Sequence, residues 1–359
     1  MKLLSKLFIT LLMIPVAVSA HGDEWKYTKE KTLKKEYTVN RDAGLKVDNS
    51  YGNIDIVTWN ENRTVIEVHI KTRGDDEETV QKRLDEIDVE FSASGSLVSA
   101  KTQFGKNDKN SWNVWGKKKS VSMEVNYTIK LPVTNSVDLS NDYGSISLNK
   151  LEGHAKINCD YGQLIIGELM AEDNYLNFDY TNNSTISYMK SGRISADYSS
   201  FVLDKTDRLE LNADYSNSEI GEVKDLNYNC DYGKIMVNSV TNLTGRGDYL
   251  PHKIGTVKGS LNLNTDYGSI AVDRLSTGTR SATIKSSYTS IKLGFDSNLS
   301  FDFDLRMSYA GFSGEDNVTV TKSDKESTSS YYEGYHKNRN SGNTVSINTN
   351  YGSVSFKKL

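Results

Sequence analysis

A carboxylate stands directly before a tyrosine at eight places: Asp142, Asp160, Asp179, Asp197, Asp214, Asp231, Asp248 and Asp266. If the chain returns by one strand spacing per repeat, the eight stack in a row about 4.8 Å apart. Unit charges at that separation repel by roughly 1 kcal/mol in water before salt screening. Such a row should recruit cations or hydrogen-bond donors, and Asn or Ser two residues earlier adds oxygens on the same face. That is the chemistry of a divalent-cation or glycan-binding ribbon. A plainer use competes with it, because Asp ahead of Tyr-Gly can cap its own turn by accepting from a backbone N–H two residues on. The capping role is the one expected, since the repeat lacks the Gly-dense nonapeptide of calcium-loaded repeats. No cofactor is expected, and Ca2+ is the ion such a row would take.

A second cluster lies in FGKNDKNSWNVWGKKK, residues 104–119. Trp112 and Trp115 with Lys117, Lys118 and Lys119 could grip an anionic glycan or an acidic partner, because aromatic residues on loops make sugar platforms. The alternative is a hairpin tip whose indoles fold back on a sheet. Tyr331, Tyr332, Tyr335 and His336 form a weaker version of the same idea. The five histidines are scattered, and no zinc spacing, nucleophile elbow or phosphate-binding glycine loop occurs. Catalysis is therefore not expected.

These residues need elements to position them. Tyr recurs at 143, 161, 180, 198, 215, 232, 249, 267, 288, 309 and 351, at separations of 18, 19, 18, 17, 17, 17, 18, 21, 21 and 42. Periods near 20 mark a solenoid. Apolar residues sit four before and three and five after each Tyr, with polar residues between, as in Leu139, Ile146 and Leu148 around Tyr143. That is strand alternation broken at a corner. The parity places Tyr inward, so its rings are expected to form an internal ladder. Gly144, Gly162, Gly233, Gly268 and Gly352 then form corners at positive φ. The fold class expected is all-β: a single-stranded parallel β-solenoid, or β-helix, with 17–21-residue coils. The 42-residue gap implies that one coil is missing or replaced.

Cys159 and Cys230 each lie two residues before a Tyr, four coils apart, or about 19 Å at the strand spacing. Two buried thiols are expected, not a disulfide.

Residues 45–56, LKVDNSYGNIDI, repeat the register once before the main array. Longer strands follow, with DDEETVQKRLDE between them reading as a helix whose Val80, Leu84 and Ile87 share a face. Residues 21–135 are thus expected to be an N-terminal cap made of a first coil plus a small antiparallel sheet and one helix. The array occupies 136–359, with a polar loop at 320–343 and a last coil whose lysines protect an edge.

Residues 1–20 read as a secretory signal: Lys2 and Lys6, an apolar run from Leu7 to Val18, then Val18-Ser19-Ala20. No later run is long enough for a membrane helix. Net charge is −4, and no basic stripe points to nucleic acid. Tyr is abundant at 21 and Pro scarce at 3, which suits a β-rich chain with many turns.

Taken together, LKVDNSYGNIDIVTWNENRTVIEVHIK, a helix, and then YTIKLPVTNSVDLSNDYGSISL with its repeats resemble the bacterial β-strand-repeat adhesin family of the head GIN type. The likeness covers nearly the whole chain after the signal. It implies an exported envelope or surface protein built as a β-solenoid, in the periplasm or outside the cell, with no established enzymatic activity. The function expected is non-catalytic, adhesin-like binding or scaffolding of an envelope glycan or protein. The alternative is a polysaccharide-active β-helix lyase or hydrolase.

Overall fold

The structure, a computed structural model, describes residues 25–105 and 121–359. Residues 1–20, expected to be a secretory signal, lie outside the described residues. Among those described are 26 β-strands, one α-helix and one short 3-10 turn, so the described chain is nearly all β. It divides into two compact units, the first ending at Leu169 and the second starting at Met170.

In the first unit, the expected first coil supplies β2 (Gly44–Ser50) and β3 (Ile54–Trp59). Strand β2 lies between β6 (Leu97–Phe104) and β8 (Ser136–Asp142), parallel to both. Strand β3 lies between β7 (Val121–Pro132) and β9 (Ser145–Leu151), again parallel. A second set is antiparallel: β1 (Tyr27–Thr38) on β4 (Arg63–Gly74), β4 on β7, and β5 (Ile87–Ala93) on β6. The expected antiparallel sheet is therefore present, joined to the coil by parallel pairs. Strand β1 escaped the sequence reading. Its YTKEKTLKKEYT is charged throughout and never fully buried, as suits a sheet margin.

The helix α1 runs Glu77–Glu86. Asp76 caps it by accepting from the Thr79 N–H at 3.0 Å, and Glu77 and Glu78 suit the positive end of its dipole. Val80 and Leu84 are buried, one turn apart on the face that meets the sheet.

In the second unit, β13 (Ser184–Asp197), β14 (Ser200–Asn212), β15 (Asn217–Asn229), β16 (Lys234–Arg246) and β17 (Pro251–Asp266) pair in parallel, each with the next. Ser200, Asn217 and Lys234 fall on one line across the strands, 17 residues apart. Leu203, Ile220, Val237 and Ile254 fall on a buried line. Each such side chain contributes about 1.5–3 kcal/mol by leaving water.

The end of this unit departs from the expected order. Strand β25 (Thr344–Asn350) is inserted between β19 (Ser281–Ser287) and β21 (Phe301–Ser308), and β26 (Ser353–Lys358) between β20 (Ser290–Phe295) and β22 (Gly311–Ser313). Strand β26 is therefore not the outermost strand, but β22 covers only Ser353–Ser355, so Lys357 and Lys358 pair with β20 alone. The polar segment 320–343 is not a loop either. It holds most of β23 (Thr319–Lys325) and all of β24 (Ser329–His336), an antiparallel pair laid on β21. The 42-residue gap thus contains a hairpin that covers β21, after which the chain turns back inside. Charge hid the hairpin, because β23 is exposed at almost every residue while β24 alternates.

Candidate functional site

The corner of each repeat is set by the tyrosine, not the glycine. Twelve tyrosines, Tyr51 and the eleven of the main series, have φ between 50° and 63°, whereas among the described glycines only Gly314 and Gly342 have positive φ. A left-handed residue with a Cβ costs roughly 1–2 kcal/mol. It also reverses the parity of the strand. The residue two before Tyr points inward, as Cys159 and Ala213 do, and the left-handed turn then throws the Tyr ring out. The expected internal ladder is thus an external one, with its rings about half exposed. The turn supplies the reason, since strict alternation holds only while the backbone stays extended.

The rings nevertheless stack. In the second unit Tyr180, Tyr198, Tyr215, Tyr232, Tyr249, Tyr267, Tyr288, Tyr351 and Tyr309 follow one another with centroids 4.8–5.0 Å apart and planes within 5°. In the first unit Tyr51, Tyr143 and Tyr161 also stack, at 5.2 and 5.0 Å with planes within 9°, and the Phe104 ring lies edge-on against Tyr51. Each stacked pair is worth about 0.5–1.5 kcal/mol beyond its buried area, which offsets much of the backbone cost. The faces cover one another, so the ribbon offers solvent its ring edges and hydroxyls. Partial burial raises the pKa of Tyr198 and Tyr232, and their neighbouring tyrosines and aspartates add to it. These hydroxyls stay protonated at neutral pH.

Glycine follows Tyr for a different reason from the one expected. A Cβ on Gly144 would lie 1.9 Å from the Gly52 carbonyl oxygen, and one on Gly233 would lie 2.0 Å from that of Ser216. The constraint is the close approach of the neighbouring strand. At four of the corners without Gly a hydroxyl residue takes the position, Leu250 and Ala310 being the exceptions: Ser199 Oγ donates to the Asp197 carbonyl at 2.8 Å, and Ser216 Oγ to the Asp214 carbonyl at 2.9 Å.

The aspartates run beside the rings. Asp142 and Asp160 lie in the first unit, and their carbonyls accept from the Tyr51 and Tyr143 N–H groups at 2.8 and 2.9 Å. In the second unit five of the six carboxylates, Asp179 to Asp248, reach the next strand. Asp179 accepts from the Asp197 N–H at 3.2 Å, Asp197 from Asp214 at 3.1 Å and Asp214 from Asp231 at 2.9 Å. Asp231 then accepts from Asp248 at 2.7 Å and Asp248 from Asp266 at 3.0 Å. These bonds differ from the expected self-capping turn, because the donor belongs to the following repeat. Each row member thereby supplies an acceptor where the chain turns away from the ladder. Among the described residues, no three His, Cys, Asp or Glu side chains converge to hold a metal.

Trp112, Trp115, Lys117, Lys118 and Lys119 lie outside the described residues. Tyr332 and His336 are buried on β24, so the Tyr-rich segment is half core and not an open aromatic loop. No disulfide joins the cysteines; both are buried, and burial pushes each thiol up to about 12.

One core cluster escaped the sequence reading. His252 takes an inward position that Ile235 and Ile270 fill in the adjoining strands. Its ring lies 5.8 Å from that of Tyr228, which is also buried. The Tyr228 ring in turn occupies the space above Gly245, where a Cβ would meet Tyr228 Cζ at 2.1 Å. His252 stands three residues after a repeat tyrosine, and that spacing was the available signal.

No family model matches the chain. No curated protein does either. Solved structures similar to it include a "putative adhesin" from Parabacteroides merdae, with 9% identity and a TM-score of 0.33 over 90% of this chain and 95% of that one. Another "putative adhesin", from Bacteroides fragilis, has 11% identity and a TM-score of 0.24, covering 92% and 97%. A "putative cell adhesion protein" from Clostridium sporogenes has 12% identity and a TM-score of 0.18, covering 92% and 100%. TM-scores of this size carry no weight for function, which must come from the chain's own residues.

Proposed function

We propose that this chain is an exported, non-catalytic β-solenoid of the bacterial envelope or surface, and that it binds or organises a partner along its Tyr–Asp ribbon. The observation that carries the reading is the exposed stack of nine tyrosines in the second unit. The stacking offsets much of the strain at each corner, but folding does not require that the corner be a tyrosine. A repeat could turn its corner with glycine at less backbone cost, and it would then expose no aromatic series. Large aromatic side chains exposed in a continuous series mark interaction surfaces. The ribbon repeats the same groups at the strand spacing, so it suits an extended partner held by many weak and equivalent contacts. A catalytic centre would instead need one position unlike the rest.

The parallel registers in the second unit support coils of 17–21 residues in this reading, and the stretch at 1–20 supports export to the periplasm or cell surface. The partner in this reading is an envelope or surface glycan or protein, with no nucleic acid and no resident cofactor. Calcium is the one ion to test. The deciding experiment is a binding screen of residues 21–359 against immobilised glycans and envelope polymers, with and without calcium, followed by analysis of the polymer for cleavage. Saturable retention of intact polymer supports the reading. Cleavage would replace it with a polysaccharide-active enzyme, and retention by none would turn the search to protein partners.

A further inference from the structure

Beside the tyrosine corner of the second unit, a trough of about 540 Å³ crosses four successive strands from β13 to β16. Two lines of outward residues form its middle: Ser200, Asn217 and Lys234 on one, and Val202, Glu219 and Met236 on the other. Strands β14 and β15 each carry a parallel partner on both sides. Their backbone groups are engaged in the ladder, so no extended peptide can add here as a further strand. Whatever lies in the trough must be recognised by side chains.

Those side chains have a particular chemistry. Lys234 and Glu219 belong to no ion pair among the described residues, while nearby charges do pair, as in Arg193–Glu210, Lys205–Glu222 and Lys224–Asp207. An ammonium and a carboxylate left open on adjoining strands, with an exposed amide at Asn217 beside Lys234 on the first line, offer both donors and acceptors. The half-buried Val202 and Met236 add short apolar ground. Hydroxyl groups, which both donate and accept, match the polar set, and the C–H faces of sugar rings match the apolar one. The two charges are opposite and close, so the trough has no net charge to attract a polyanion.

We propose that the trough is a binding subsite for a linear, uncharged polysaccharide, lying across the strands parallel to the tyrosine stack with about one sugar ring per strand crossed. The strand spacing of about 4.8 Å sets that repeat. This subsite rests on the binding reading above and names its ligand class.

The test uses residues 21–359 with cellohexaose, laminarihexaose and chitohexaose as neutral probes, polygalacturonate as an anionic one, and calorimetry as the readout. The variants are Asn217→Trp, which fills the trough, the double change Glu219→Ala with Lys234→Ala, and Tyr232→Gly on the stack. Thermal melts check that each variant is folded. The expected result is binding of at least one neutral hexaose, weakened tenfold or more by both trough variants at unchanged melting temperature. Neutral binding that only Tyr232→Gly weakens would overturn the trough and leave the ribbon reading standing. Binding of polygalacturonate alone, or of no hexaose, would overturn the trough. In either case the ribbon reading is then decided separately by the wider envelope-polymer screen.

Discussion

The backbone N–H of Asp231 donates to Oδ1 of Asp214, one repeat earlier, at 2.9 Å. The same bond links the aspartates from Asp179 to Asp266, which makes the acidic row a hydrogen-bonded seam before it is anything else. Asp214→Ala should remove one acceptor and cost about 1 kcal/mol, below the 1.5–3 kcal/mol of bonds to charged groups because Asp214 is exposed. Asp214→Asn keeps the oxygen and removes one of three successive negative charges. It should be nearly neutral, and mildly stabilising at low salt, where repulsion is least screened. Urea midpoints of the two variants at low and high salt check this. Equal destabilisation by Ala and Asn would mean that the charge, and hence a bound cation, matters more than the bond.

The tyrosine corner predicts an inversion of the usual order of substitutions. At an extended or helical position Gly is less stable than Ala, but at a left-handed φ Ala carries the Cβ penalty and Gly does not. Tyr215 has φ 53° and stacks on both neighbours. Tyr215→Ala loses the stacking and keeps the strain, whereas Tyr215→Gly loses the stacking and relieves it. The Gly variant should therefore be the more stable of the two by about 1 kcal/mol. Thermal or urea unfolding of the pair decides it, and Ala above Gly would contradict the assigned backbone.

Spacing and polarity in the sequence already imply much of this architecture. The period of the tyrosines, the inward positions around them, the helix at Val80 and Leu84 and the buried cysteines all follow from those two signals. What the sequence hid has a common cause. Alternation places a residue inward or outward only while the chain stays extended, so the single left-handed residue at each corner inverted the reading of every Tyr. Strands β1 and β23 are charged and exposed, and they lack the apolar line by which β14 or β15 can be recognised. The insertion of β25 and β26 between earlier strands is a long-range pairing that no local pattern encodes. For the aspartates, the residue type revealed an acceptor. Only the register revealed that its donor lies a repeat away.

Gly233 gives a test of close approach free of any left-handed φ. A Cβ there would meet the Ser216 carbonyl oxygen at 2.0 Å and the Ser216 backbone N and C at 2.9 and 3.0 Å, and paired strand backbone has little room to yield. Gly233→Ala should destabilise the second unit by on the order of 3 kcal/mol, a size reserved for packing faults of this kind. Gly342 is the control: its φ is 84°, but no atom lies within 4 Å of its Cβ position, so Gly342→Asn, which tolerates that φ, should cost well under 1 kcal/mol. Chemical denaturation of both variants checks the contrast, and a mild Gly233→Ala would mean that the strands can spread at the corner.

His252 sets a pH dependence with a definite sign. Burial pushes its pKa down to about 4, against a smaller opposing pull from backbone groups of Leu250 and Ser269. Those groups lie near the ring, but neither ring nitrogen makes a hydrogen bond of full geometry. The folded protein therefore holds this imidazole neutral, while the unfolded chain protonates it near the ordinary value of about 6.5. Stability from this group is complete above about pH 6.5 and is lost as pH falls from there toward 4, because the unfolded state binds the extra proton. The full loss is on the order of 3 kcal/mol. Carboxylates add their own dependence at the acid end, so the measurement is a difference between the wild type and His252→Leu across pH 7.5 to 4.5. The wild type should lose more stability than the variant over that range, with most of the gap opening below pH 6.5. Parallel curves would show that His252 is protonated in the folded state, and hence that water reaches it.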